Sequence, residues 1–399
     1  MNIDSEIEEF QSELTAIRRD VHAHPELGYA EFRTADVIAA KLSEWGIEVH
    51  RGLAGTGVVG TIKGSSNPRA IGLRADMDAL PLAEQNAFAH RSRHDGKMHA
   101  CGHDGHIAML LGAAKYLSAH RDFDGAVHLI FQPAEEGNHA GARTMLREGL
   151  FEKFPCDAVF GMHNWPGLKS GNFAVRPGPI MASNNDFTIT LEGKGAHAAM
   201  PHNGNDPLLA AVQVISALQS IITRNKKPID SAVLSVTQFH GGTASNIIPN
   251  SVWFGGTVRT FTVEVLDLIE QRMKEIASSI SFAFGCTVKV QFDRNYPPTI
   301  NSEAETSIAI DAMRKTVDAK NVDTNVEPTM GAEDFAFMLQ EKPGCYVFIG
   351  NGEGGHREGG HGLGPCSLHN PSYDFDDNIL SIGSQYWVNL VQTWFDASR

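Results

Sequence analysis

Between Asp186 and Phe292 the chain changes rhythm, and this limits the available folds more than any other feature. Segments 186–191, 232–239, 252–261 and 287–292 read as strands, while 207–224 and 263–283 carry helical apolar spacing. The order β-α-β-β-α-β is that of the split-βαβ, ferredoxin-like unit, which closes on itself as a small domain. On either side strands and helices alternate. Before it, helices at 3–21 and 32–45 (stopped at Gly46) precede strands 58–62 and 70–75. Helix 105–120, strand 126–131, helix 140–148 and strand 157–162 follow. After it come helices at 303–317 and 333–339, strand 346–349, a glycine-rich loop and a last helix at 377–395. Such alternation places helices on the faces of a sheet. The expectation is therefore an α/β protein of two domains. A mixed-sheet domain formed by residues 1–183 and 297–399 is interrupted by a ferredoxin-like domain at 184–296.

Composition removes several classes of function. A formal net charge of −14 without a basic stripe argues against a nucleic-acid partner. The longest near-apolar run, Ile107 to Leu117, is too short to span a bilayer and carries Lys115, so no membrane partner is expected. The opening MNIDSEIEEF is acidic and lacks the order of a signal peptide. The 5 cysteines are odd in number and scattered, which fits a reduced chain in the cytoplasm.

The chemistry concentrates in MHACGHDGH at 98–106, where imidazoles, a thiol and a carboxylate crowd together. Glu135 and Glu136 in QPAEEG, His163 in GMHNW and His369 in SLHNPSYDF follow. These are soft and hard ligands with one carboxylate to spare, the inventory of a two-metal hydrolase. Asp76, Glu135, Glu136 and His163 each fall just beyond the end of an expected strand, where α/β sheets gather their ligands. Singly, each has a plainer reading: His163 or His369 as hydrogen-bonded residues, Cys101 as a small buried hydrophobe, Glu135-Glu136 as a solvated turn.

RRDVHAHPELGYAE, DMDALP, MHACGHDGH, QPAEEG, GKGAHAAMPH, GTASNIIPN, RTF, MGAEDFA and LHNPSYDF occur in one order along nearly the whole chain. In this the sequence resembles the M20 metallopeptidase family, in its amidohydrolase branch. Hippurate hydrolases, aminoacylases and auxin-conjugate hydrolases belong to that branch. The resemblance implies two divalent ions per subunit, Mn²⁺ or Zn²⁺, with Co²⁺ or Ni²⁺ as further candidates. It implies Cys101 as a bridging thiolate, His103 and His163 on one metal, and Glu136 and His369 on the other. The bridging place is held by Asp in the wider family. A thiolate between two dications has its pKa pulled far down and serves as an anionic bridge. Glu135 is then the general base: it takes a proton from the metal-bound water, which attacks as hydroxide, and returns that proton to the leaving nitrogen. The wider family carries His two residues before an orienting Asp, and this chain has Asp76-Met77-Asp78. Asp76 and Asp78 are therefore expected behind the ligands, with Asp78 orienting one of them. His94, His99 and His106 stay outside the ligand set.

The same resemblance makes the inserted domain a lid and dimerisation domain, with a homodimer or a tetramer as the assembly. His197 would reach the substrate carbonyl oxygen, from its own or the partner subunit, and stabilise the oxyanion. Asn246 and Arg259 would grip the free α-carboxylate, for which a planar guanidinium is suited. Plainer alternatives are a tight turn at His197 and a surface ion pair at Arg259. His22 and His24 read as structural, Glu333-Asp334 as a helix cap, and His356 and His361 as part of a solvated loop. The expected reaction is hydrolysis of N-acyl-L-amino acids to a carboxylate and a free amino acid. A dipeptidase or carboxypeptidase of the same family is the rival enzyme, and a non-catalytic metal-binding homologue the rival outside enzymes.

Overall fold

The computed structural model describes residues 3–397. It divides into two compact units: Met1–Ile180 with Ile300–Glu327 and Asp334–Arg399, and Met181–Thr299 with Pro328–Glu333. The expected insert, 184–296, falls within the second unit, which also takes in the short segment Pro328–Glu333.

The first unit is built on an 8-stranded mixed sheet. Its middle is parallel: Ala126–Gln132, Ala70–Asp76, Ala158–Pro166 and Gly344–Gly352 lie side by side. Antiparallel Gly57–Lys63 and Glu48–Leu53 extend one side, and Phe173–Ala174 pairs antiparallel to Gly344–Gly352 on the other. Every residue of Ala70–Asp76 is buried, as a parallel strand covered on both faces should be. Helix His103–Ala119 is apolar almost all round because it packs on the sheet while Gln11–Ala23 and Leu380–Asp396 pack on it.

Several local expectations shift. The expected first helix breaks at Phe10 into Ile3–Glu9 and Gln11–Ala23. Strand Glu48–Leu53 was not expected; it is an edge strand with mostly exposed residues and so lacks alternation. The helix expected from Glu333 begins only at Ala336, and its N-cap makes no side-chain hydrogen bond. The cap reading of Glu333-Asp334 is therefore wrong: Asp334 is buried in a polar network described below.

In the second unit strands Asn184–Glu192, Ala232–Gly241, Ser251–Thr260 and Thr287–Tyr296 form an all-antiparallel sheet. The spatial order, Ala232–Gly241, Ser251–Thr260, Asn184–Glu192, Thr287–Tyr296, is that of the ferredoxin-like unit. Helices Pro207–Ser220 and Val263–Ala283 pack with the sheet around a core that includes Phe187, Ile189, Val214, Phe254 and Ile269. Both helices start from built caps: Asp206 accepts from Leu208 N at 2.8 Å ahead of Pro207, and Thr262 accepts from Val265 N at 3.3 Å. By length and composition one helical stretch among the described residues, Pro207–Asn225, passes as a membrane span with mean hydropathy 1.3. It, and not 107–117, is the longer apolar run. Ala210, Ala211, Val214 and Leu218 from it are buried in the core of this unit.

Candidate metal centre

Five side chains from four separate stretches of the first unit converge. Cys101 immediately precedes the turn into helix His103–Ala119, which begins with His103. Gly102 between them sits at φ 92, and an added Cβ would lie 2.2 Å from Asn164 Oδ1. Only glycine permits that conformation and that approach. Glu136 lies in the loop after Ala126–Gln132. His163 lies within strand Ala158–Pro166, which runs past the end expected for it. His369 adopts φ 59, a left-handed conformation rare for a side chain of this size, and its backbone N–H donates to Ala100 O at 2.8 Å.

The donor atoms of Cys101, His103 and His163 lie within 4.8 Å of one another, and those of Cys101, Glu136 and His369 do likewise. The two groups share the thiol. Cys101 Sγ is 3.4 Å from His163 Nε2, and His369 Nε2 is 3.2 Å from Glu136 Oε1. Backbone carbonyls fix the imidazoles: His103 Nδ1 meets Asp78 O at 2.8 Å and His163 Nδ1 meets Asn164 O at 2.6 Å. A carbonyl only accepts, so each Nδ1 carries the proton and each Nε2 offers its lone pair to the cluster. His103 Nε2 is buried with no hydrogen-bond partner among the described residues, and buried Glu136 Oε1 has none beyond the His369 contact, whose geometry is not that of a hydrogen bond. Buried unsatisfied lone pairs cost about 1–3 kcal/mol each. Two divalent cations, one in each donor group, would satisfy them, so the donor set fits a dinuclear centre.

The electrostatics run the same way. Burial, reinforced by Glu136, Glu135 and Asp76, pushes the Cys101 thiol pKa well above its ordinary value. Burial, then the neighbouring His106, holds His163 well below its usual range. Burial opposes charge on His103 too, but Asp76 and Asp78 raise its pKa to about 10. Such a cluster needs positive charge to hold a thiolate and neutral imidazoles together.

Asp76 and Asp78 act on this group from behind. Asp76 binds Arg74 Nη1 at 2.6 Å and His106 Nδ1 at 2.6 Å, and lies 3.7 Å from His103 Nε2. Burial works to raise its pKa, yet His103, Arg74 and His106 hold it well below the carboxylate range. Asp78 accepts from Glu135 N at 3.0 Å and Glu136 N at 2.9 Å, one per oxygen. Glu135 itself is buried, with its carboxylate in a cluster with His103 and Glu136.

Three supports have partners that the sequence does not reveal. Arg74 bonds Gln132 Oε1 at 2.8 Å and Asp334 Oδ1 at 3.1 Å, while Asp334 also accepts from Ala142 N at 2.9 Å. The signal was an arginine inside the apolar strand AIGLRAD. His22, structural as expected, meets Asp104 Oδ2 at 2.8 Å and Glu84 Oε1 at 3.3 Å. Beside it Arg18 binds Asp377 at 2.6 Å, Asp374 at 3.4 Å and Asp104 at 3.6 Å. His106 uses both ring nitrogens, on Asp76 and on Asn164 Oδ1 at 2.8 Å. His99 is buried, joins none of these donor groups, and is kept neutral by burial with a pKa near 4.

The remaining candidates lie in the second unit. His197 is exposed on Ala196–His197, which pairs with Ile247–Ile248. Its Nδ1 accepts from Ala199 N at 3.1 Å, so Nε2 carries the proton. Asn246 is exposed nearby, its carbonyl accepting from Ala198 N at 3.0 Å. Arg259 is half-buried on Ser251–Thr260 with Nε on Thr257 Oγ1 at 3.2 Å. Burial lowers its pKa despite the opposing charge of Asp186.

Overlapping donor groups that share one thiol, with a further carboxylate beside them, define a hydrolase built to hold a pair of metal ions. Comparison with known proteins agrees. The profile of peptidase family M20/M25/M40 matches residues 72–393, and the chain belongs to that family. The hippurate hydrolase of Campylobacter jejuni is 40% identical over 391 residues, which is 98% of this chain and 99% of the relative. The N-acetyl-L-cysteine deacetylase of Bacillus subtilis is 40% identical over 390 residues, 98% of this chain and 90% of the relative. Among solved structures, a dinuclear metal binding peptidase of the M20 family from Bacillus subtilis superposes with TM-score 0.84 at 34% identity. The match covers 98% of this chain and 99% of that one.

Proposed function

We propose that the chain hydrolyses the amide bond of N-acyl-L-amino acids, releasing a carboxylate and a free amino acid. The observation that carries this is the pair of donor groups sharing Cys101, with Glu135 beside them. Cys101, His103, His163, Glu136 and His369 would hold two divalent ions, Mn²⁺ or Zn²⁺ with Co²⁺ or Ni²⁺ as alternatives: Cys101 would be common to both, His103 and His163 would serve one, and Glu136 and His369 the other. When bound, the metals supply Lewis-acid activation of water and of the scissile carbonyl. Glu135 takes the proton of the attacking water as the new C–O bond forms. It delivers that proton to the amide nitrogen as the C–N bond breaks, which an amine leaving group requires. His197 donates from Nε2 to the carbonyl oxygen as charge develops there. Asn246 and Arg259 take the α-carboxylate, and a half-buried guanidinium only partly offset by Asp186 gains from that partner. Asp76 and Asp78 hold the ligands and the Glu135-Glu136 backbone in place.

The assembly is a homodimer formed through the inserted domain. Strand Ala232–Gly241 lies at the edge of its sheet and carries exposed Phe239, while Leu209 and Val212 are exposed on the adjoining helix. The five cysteines are all free and buried, which suits a reducing cytoplasm. The test is release of free amino acid from a panel of N-acyl amino acids and matching dipeptides, with Mn²⁺-loaded and chelated protein. Metal-dependent release from the N-acyl substrates supports the reading. Preference for dipeptides replaces it with the peptidase, and no release from metal-loaded protein replaces it with a non-catalytic homologue.

A further inference from the structure

The loop that carries Glu135 and Glu136 is held by its backbone, and one of the groups holding it lies far away in sequence. Three successive N–H groups are engaged by two buried carboxylates. Glu135 N and Glu136 N donate to Asp78, and Ala134 N donates to Glu31 Oε1 at 2.8 Å. Ala134 is at φ 55, a strained conformation for a residue with a Cβ, and its carbonyl accepts from Gly141 N at 2.9 Å. Both backbone polar groups of Ala134, the residue immediately before Glu135, are therefore engaged.

Glu31 stands at the N-cap position of helix Phe32–Glu44 but makes no side-chain cap. The cap is supplied by Glu26, which accepts from Arg33 N at 3.1 Å and Thr34 N at 2.8 Å. The Glu31 carboxylate turns inward instead, fully buried, and takes Thr56 Oγ1 at 2.7 Å on its second oxygen. A buried carboxylate is expensive and is retained where its hydrogen bonds are needed. Burial raises its pKa to about 7. The protonated form still accepts from Ala134, since the Thr56 hydroxyl can reverse its bond.

We infer that Glu31 is a positioning residue for the reaction: by fixing the Ala134 peptide it aims the Glu135 carboxylate. This rests on Glu135 being the general base. The test compares Glu31→Ala, Glu31→Asp and Glu31→Gln, each alone and combined with Glu135→Ala, measuring kcat, KM, bound metal and thermal melting. A displacement on the order of 1 Å at a catalytic group costs about 10²-fold. Glu31→Ala and Glu31→Asp, the latter too short to reach Ala134, are expected to lower kcat roughly 10- to 100-fold with KM and metal content kept. Glu31→Gln recovers most of the rate because its amide oxygen accepts from Ala134. In the Glu135→Ala background, Glu31→Ala costs nothing further. Unchanged kcat in Glu31→Ala, loss that tracks lost metal, or equal loss in both backgrounds overturns the inference while leaving the role of Glu135 intact. Normal turnover by Glu135→Ala alone overturns both. If Glu31→Ala fails to fold, the Asp–Gln contrast decides, since equal rates in those two would overturn it.

Discussion

At the scale of single residues, the site works by deciding which atom of each side chain faces the cluster. Carbonyls at Asp78 and Asn164 take Nδ1 of His103 and His163, which commits both Nε2 atoms to the cluster. Glu135 and Glu136 are adjacent in sequence, and their N–H groups are held by separate oxygens of Asp78. Glu135→Ala is expected to keep both metals and lose turnover by roughly 10²- to 10⁴-fold, the usual range for a general base. Metal analysis beside steady-state rates checks this, and near-normal turnover would remove the assignment. Gly102→Ala is expected to destabilise by about 1–3 kcal/mol or more, since it forces a side chain to positive φ. Its Cβ would also meet Asn164 Oδ1 at 2.2 Å and Tyr373 Oη at 2.5 Å. Denaturant unfolding together with metal content measures it; a variant as stable and as metal-rich as the parent would show that the turn can relax.

At the scale of elements, helix Gln11–Ala23 acts as a clamp. Arg18 and His22 engage Asp104 on the helix that begins at His103, and Arg18 also engages Asp374 and Asp377 beyond His369. Two segments that carry candidate ligands, His103 and His369, are thereby tied to one helix. Burial would lower the His22 pKa, but Asp104 and Glu84 raise it from 6.5 to about 10. A raised histidine contributes stability that is fully present below its unfolded pKa and lost as pH climbs through its folded pKa. Melting temperature should therefore fall between about pH 6.5 and pH 10, and His22→Gln should flatten that slope. Parallel profiles for the two proteins would sink this account. The periodic elements were legible in the sequence because their signal is local: Val263–Ala283 and Ala126–Gln132 lie close to where apolar spacing puts them. Edge strand Glu48–Leu53 was not, because it buries little and has no alternation to read. The helix expected at Glu333 failed because Asp334 is drawn into the buried contacts of Arg74 and Gln132.

At the scale of the whole molecule, metal binding and acidity are linked. Burial, Glu136, Glu135 and Asp76 keep the Cys101 thiol protonated, so loading the centre must release its proton. Affinity for Mn²⁺ or Zn²⁺ is expected to weaken as pH falls, and calorimetry in buffers of different ionisation heat would reveal the released protons. Metal binding independent of pH would remove Cys101 as a thiolate ligand. Arg259→Ala should raise KM for N-acyl amino acids by about 10- to 100-fold, the worth of a hydrogen bond to a charged group. The matching simple amides, which lack the carboxylate, should be unaffected; an equal effect on both would end the carboxylate role.

The sequence by itself determined the inventory and the architecture. Cys101, His103, Glu135, Glu136, His163 and His369 are readable as a metal-hydrolase set because each sits in a short recognisable motif, and the β-α-β-β-α-β insert is readable because periodicity is a local signal. Tertiary structure alone decided how the inventory is aimed. The tautomer of His103 depends on the Asp78 carbonyl, the charge of Asp76 on Arg74 and His106, and the backbone before Glu135 on Glu31. Apart from Arg74–Asp76, two residues apart on one strand, each of these joins separate segments of the chain inside a buried space where an unpaired polar group is costly. No local pattern encodes such a pairing, and only the folded chain brings the partners together.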